Sequence, residues 1–185
     1  MMRWNLNSMP LYAAAYLAVF VAAYPNVFRS TLGTQIDLLP PLVVYCALQS
    51  KWTTLAGITI FGGCLFDSLS SNPLGLTTAS LFISGCVIRV NRETILRDQA
   101  FAQFVIGLMA SLATPVVSLL LLWLLGRTPL TGFGSIWQLT STALLGALAT
   151  PVLFGTFERI KRTLNFRPVP ESSFRTDREI KRRRA

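Results

Sequence analysis

The chain has 185 residues, 52% of them hydrophobic and only 14% charged, with 17 Lys and Arg against eight Asp and Glu and no histidine. A soluble domain usually carries about 25% charged residues, so this composition argues against a water-exposed globular fold and for a polytopic membrane protein with a basic tail. The net charge of +9 does not imply nucleic acid, because the basic residues lie between and after apolar runs, with ten of the 17 in the last 28 residues, where membrane topology accounts for them.

Six helices are expected in chain order. A bilayer core of about 30 Å needs roughly 20 helical residues. The first run, about 10–28, starts at Pro10, which suits a helix start, and closes near Tyr24-Pro25. No clear small-residue cleavage site follows it, so it reads as a retained helix rather than a signal peptide. The apolar region from Ile36 to Phe66 is too long for one span, about 46 Å at 1.5 Å per residue. It is interrupted by Gln49-Ser50-Lys51-Trp52, which divides it into helices of about 36–49 and 52–67, each short for a span. A re-entrant hairpin is the alternative. The fourth helix, about 74–90, ends at Arg89 and Arg92, and the fifth runs over about 100–125. After the turn-rich stretch Gly126–Ser135, the sixth covers about 136–157. A six-helix domain over 1–166 is thus followed by a basic tail, 167–185, expected to be disordered.

Six spans put both termini on one side. With the N-terminus inside, the inner segments hold Arg3, Lys51, Arg89, Arg92, Arg97 and the tail cations, including Lys181, Arg182, Arg183 and Arg184, while the outer loops hold only Arg29 and Arg127. The excess of inner cations predicts N-in, C-in. The same residues serve as topological anchors or bind anionic inner-leaflet lipid.

The chemistry-bearing residues are few. Cys46, Cys64 and Cys86 are odd in number, lack a CxxC and sit inside apolar runs, so neither a disulfide framework nor a zinc site is expected. The missing histidine removes the commonest general base and metal ligand, and no Ser/Lys or paired-Asp arrangement lies inside the helices. No enzymatic activity, cofactor or metal is expected. Ala14, Ala18 and Ala22 form a small-residue stripe, which serves either to dock a partner or to pack internally. The tetrapeptide Leu-Ala-Thr-Pro occurs at 112–115 and again at 148–151. Each Pro tends to kink its helix, and the preceding Thr is a candidate to satisfy the freed carbonyl.

Two carboxylates stand out. Asp37 opens the second helix, where an acid caps free N–H groups and suits the positive dipole end. Asp67 lies at the C-terminal end of the third helix, where the dipole disfavours an anion. Capping of its own helix does not explain it, and hydration at the interface or hydrogen bonds from the turn Ser68–Asn72 are the remaining roles. Under N-in topology both acids fall at the outer surface, where with Pro73, Gly75 and Leu76 they are expected to shape a pocket or partner surface.

The order Asp37-Leu38-Leu39, Val43-Val44-Tyr45, Gly57, Gly62-Gly63, Leu65-Phe66-Asp67, Pro73-Leu74-Gly75 and Arg89 resembles the MreD family of rod shape-determining proteins over residues 36–92. Phe66 stands where an aliphatic residue is usual, and the tail is longer than the family needs. The resemblance implies a non-enzymatic component of the cell-wall elongation complex in the bacterial cytoplasmic membrane. It implies direct binding to MreC and, through it, links to the glycosyltransferase RodA, its transpeptidase and the filament protein MreB. It also implies a fold similar to the substrate-binding subunits of energy-coupling-factor transporters. Such a subunit is the rival function, expected to show several polar or aromatic groups converging at the outer face, for which Asp37, Asp67, Asn72 and Trp137 are the visible candidates.

Overall fold

The computed structural model describes residues 9–23, 37–70, 73–92, 99–126 and 133–164. Within them the chain forms six α-helices: α1 (Met9–Ala23), α2 (Leu39–Gln49), α3 (Trp52–Leu69), α4 (Leu76–Val90), α5 (Ala100–Leu124) and α6 (Phe133–Leu164). Three of them, α3, α5 and α6, are long and apolar enough to cross a membrane. The chain breaks between α2 and α3 at Ser50 and Lys51, inside the expected interruption. α6 runs seven residues past its expected end at 157. Ile160 packs on the core one turn beyond the buried Phe154 and Phe157, so the inward face continues into the charged segment and holds the helix together.

α2 organises the bundle. It touches each of the other five helices, and every residue from Leu39 to Leu48 is buried. A helix that is apolar on all sides is one surrounded on all sides. At about 16 Å it is shorter than a bilayer core of about 30 Å, and the five helices around it cover its sides. Pro40 and Pro41 fall in its first turn, where their missing N–H groups would have no helical acceptor anyway. Tyr45 stacks on Phe157 with ring centroids 4.7 Å apart and meets Phe154 edge-on at 5.0 Å, which ties α2 to α6.

The outer helices are inside-out relative to a water-soluble bundle. The buried positions of α5 are Gln103, Gly107, Ala110, Ser111 and Thr114, while Phe101, Met109, Leu120, Trp123 and Leu124 are exposed. On α4, Thr77, Ser80, Ser84, Gly85 and Arg89 turn inward and Phe82, Ile83, Val87 and Val90 turn out. In lipid no hydrophobic force drives helices together, so small and hydroxylated residues take the contacts and large apolar ones face the tails.

Close approaches are made at glycines. A Cβ at Gly63 would run into the Thr78 backbone of α4, and one at Gly62 would press on Leu39. Between the antiparallel α5 and α6 the fit is reciprocal. The Thr150 hydroxyl occupies the place of a Gly107 Cβ, and the Ser111 hydroxyl that of a Gly146 Cβ. The two four-residue spacings, Gly107–Ser111 and Gly146–Thr150, are a small-residue seam of the kind that lets membrane helices pack closely. Attention to the Leu-Ala-Thr-Pro tetrapeptides alone misses this seam, though the spacing is visible in the sequence. The threonines of those tetrapeptides also do something other than expected. Thr114 Oγ1 donates to the Ala110 carbonyl and Thr150 Oγ1 to that of Gly146. The carbonyls that Pro115 and Pro151 deprive of a donor belong to Ser111 and Ala147, one position later.

Candidate functional site

The expected alanine docking stripe is turned inward. Ala18 and Ala22 are buried, and Ala14 is half-buried against the core cluster. A Cβ at Gly57 would meet the Tyr12 hydroxyl, and Gly62 approaches Ala15, so this side of α1 seals against α3. The face of α1 left outside carries Tyr16, Leu17, Phe20 and Val21. The stripe is therefore an internal seam, because small residues allow the closest contact and the closest contact here is within the chain.

Asp67 is a helix cap after all, though for the following helix. Its side chain is 1% exposed, so it is not a hydrated interfacial acid. Its Oδ2 accepts the Gly75 N–H at 2.8 Å, and both its oxygens lie 3.2 Å from the Thr77 N–H. These are free donors at the N-terminus of α4, where the dipole favours an anion. Gly75 makes the approach possible with φ of 94°, a left-handed conformation that other residues enter at a cost. Pro73 closes the turn by accepting the Leu76 N–H.

Asp37 Oδ1 accepts the Leu39 N–H at 2.9 Å, at the start of α2. Burial pushes its carboxyl up to about 6, against the lowering effect of that hydrogen bond. Arg89 closes the other end of α2: its guanidinium donates to the carbonyls of Ala47 and Ser50 and lies 5.3 Å from the Trp52 ring. It is buried, so it does not act as the lipid-facing anchor expected from the sequence. A cation on the last carbonyls of a helix complements its negative dipole end. Arg92 follows in the turn after α4 and is half-buried. Arg97, Lys181, Arg182, Arg183 and Arg184 lie outside the described residues, as does Asn72.

A pocket of about 340 Å³ opens at the end of the bundle where α2 and α4 begin. Asp37 and Pro40 form one wall, with Phe66, Leu76 and Thr77 beside them. The part of α5 around Pro115 contributes Ser111, Thr114, Ser118 and Leu119, and the first turns of α6 contribute Gln138, Leu139 and Thr142. Of the residues expected to shape this mouth, Asp37 and Leu76 line it. Asp67, Pro73 and Gly75 stand behind the wall and position α4. Trp137 is exposed and does not line the pocket. The α5 and α6 hydroxyls escape a reading of the sequence because serine and threonine inside an apolar helix look like packing residues. Their recurrence at 111, 114, 118 and 142 is the signal that could have found them.

The volume lies at the lower end of the range for small-molecule sites, and the lining mixes apolar and polar groups. Among the described residues no group of three or more Cys, Asp or Glu is placed to hold a metal ion. Comparison with protein-family models, with curated proteins and with solved structures returns no match.

Proposed function

We propose that the chain is a non-enzymatic, six-span component of the bacterial cell-wall elongation machinery, of the MreD type, with both termini on the cytoplasmic side of the membrane and MreC as its direct partner. One observation carries the reading. The residues of the resemblance, from Asp37 to Arg89, are the ones on which the assembly of α2, α3 and α4 depends. Asp37 caps α2, Gly62 and Gly63 admit Leu39 and α4, Asp67 and Gly75 start α4, and Arg89 closes α2. The work of these groups is architectural, which supports a protein that acts by holding partners.

The rival reading, a transporter's substrate-binding subunit, gains from the polar lining of the pocket. The alanine stripe, turned inward within the chain, offers a docking surface to neither reading.

The test is co-purification from mild detergent together with cell shape. The full chain is expected to recover MreC, and its deletion from a rod-shaped host to give round cells that regain rod shape when the gene is restored. Rods that persist after deletion, with no MreC recovered, would overturn the proposal.

A further inference from the structure

The pocket carries information about what it binds, independent of the role in cell-wall elongation. Three of its hydroxyls have their hydrogens engaged within the chain, while Gln138 brings an amide that both donates and accepts. Thr114 gives its hydroxyl hydrogen to the Ala110 carbonyl, Ser118 shares its single hydrogen between Ser80 Oγ and the Thr114 carbonyl, and Thr142 donates to the Gln138 carbonyl. With those hydrogens engaged, the three hydroxyls have lone pairs left to offer. Asp37 adds a carboxylate whose Oδ1 holds Leu39 and whose other oxygen has no partner among the described residues. Pro115, itself in the lining, leaves the Ser111 carbonyl without its helical donor.

Ser111 also belongs to the lining, but its buried hydroxyl packs against Gly146 in the α5–α6 seam and is closed to a ligand. Among the described residues no Lys or Arg lines the pocket, so none of them offsets the desolvation of an anion.

We propose that this pocket binds a small hydroxylated amine, with the ammonium on Asp37 and the hydroxyl groups donating to the α5 and α6 side chains, and that it excludes anions of the same size. An aminosugar is the simplest probe of this class. Glucosamine, glucose and glucuronate share a ring and differ in charge at a single substituent.

The experiment is thermal unfolding of the purified full chain in detergent with each of the three sugars. Glucosamine is expected to raise the midpoint, glucose to raise it less and glucuronate to leave it unchanged. Asp37→Asn, which keeps a good capping residue, is expected to reduce the glucosamine shift to that of glucose. Thr142→Val keeps the shape of the side chain and removes a lining hydroxyl, so a smaller shift is expected for both binding sugars. The proposal is overturned if glucuronate stabilises as well as glucosamine, if no sugar shifts the midpoint, or if the glucosamine shift survives both substitutions. None of these outcomes bears on MreC recovery or cell shape, so the two proposals fail separately.

Discussion

Asp67 and Gly75 are joined by a 2.8 Å hydrogen bond from the glycine N–H to the carboxylate across the turn between α3 and α4. The contact converts an acid at the unfavourable end of one helix into the anion at the favourable end of the next. Asp67→Ala strands the Gly75 and Thr77 N–H groups in a buried site and is expected to destabilise the fold by about 2 kcal/mol. Asp67→Asn, which can still accept, should cost less. Reversible unfolding in mixed micelles measures both, and equal effects of Ala and Asn would refute the capping role.

Two glycines separate backbone conformation from packing. Gly75 has a positive φ and open space where a side-chain methyl group would stand, whereas Gly63 faces the Thr78 backbone. Gly75→Ala is expected to cost about 1 kcal/mol through conformation alone. Gly63→Ala should cost more, because a backbone cannot rotate away as a side chain can. Gly155 has open space and ordinary helical φ, so Gly155→Ala is expected to be neutral or stabilising. The order of the three in the same unfolding assay checks this.

Arg89 bridges α4 to the last carbonyls of α2. Arg89→Gln is expected to cost about 2 kcal/mol, since it removes a charged donor from buried acceptors. Arg89→Lys should restore part of this, because one ammonium cannot reproduce the planar fork or its contact with Trp52. Full stability in Arg89→Gln would show that the carbonyls find other donors.

The α5–α6 seam predicts a size exchange. Gly107→Ala alone puts a methyl group where the Thr150 hydroxyl lies and is expected to destabilise by about 1–3 kcal/mol. Pairing it with Thr150→Gly should recover part of the loss. A double-mutant cycle with no coupling between the two positions would show that they do not share one space.

Asp37 gives stability a pH dependence. Its carboxyl is raised from 3.8 to about 6 in the fold, so the folded state holds its proton more tightly than the unfolded state does. Its contribution is fully present below pH 3.8 and is lost as pH rises through about 6. Unfolding between pH 4 and 7 is expected to show a fall in stability that Asp37→Asn abolishes. A fall of the same size in the variant would assign it to other groups.

Much of this architecture is legible in the chain. Proline, glycine and charged clusters mark where helices stop, and the interruption at Ser50-Lys51 separates α2 from α3 because polar residues in a row cannot continue an apolar face. Local signals also place Asp37 at a helix start. They misassign Asp67, whose partners are 8 and 10 residues away, and Arg89, whose acceptors are 39 and 42 residues away. A dipole argument confined to one helix considers only that helix's own ends.

The sequence by itself determined the helical class, the number of apolar segments and the placing of charge at their ends, since these follow from local hydropathy and backbone chemistry. Only the tertiary structure decided that the shortest described helix is the central one, that the alanine stripe faces inward, and that hydroxyls of α5 and α6 meet Asp37 around one pocket. The physical reason is that lipid and protein interior are both apolar. A leucine facing tails and a leucine facing α2 have the same hydropathy, so the direction of each face is settled only by which surfaces fit together.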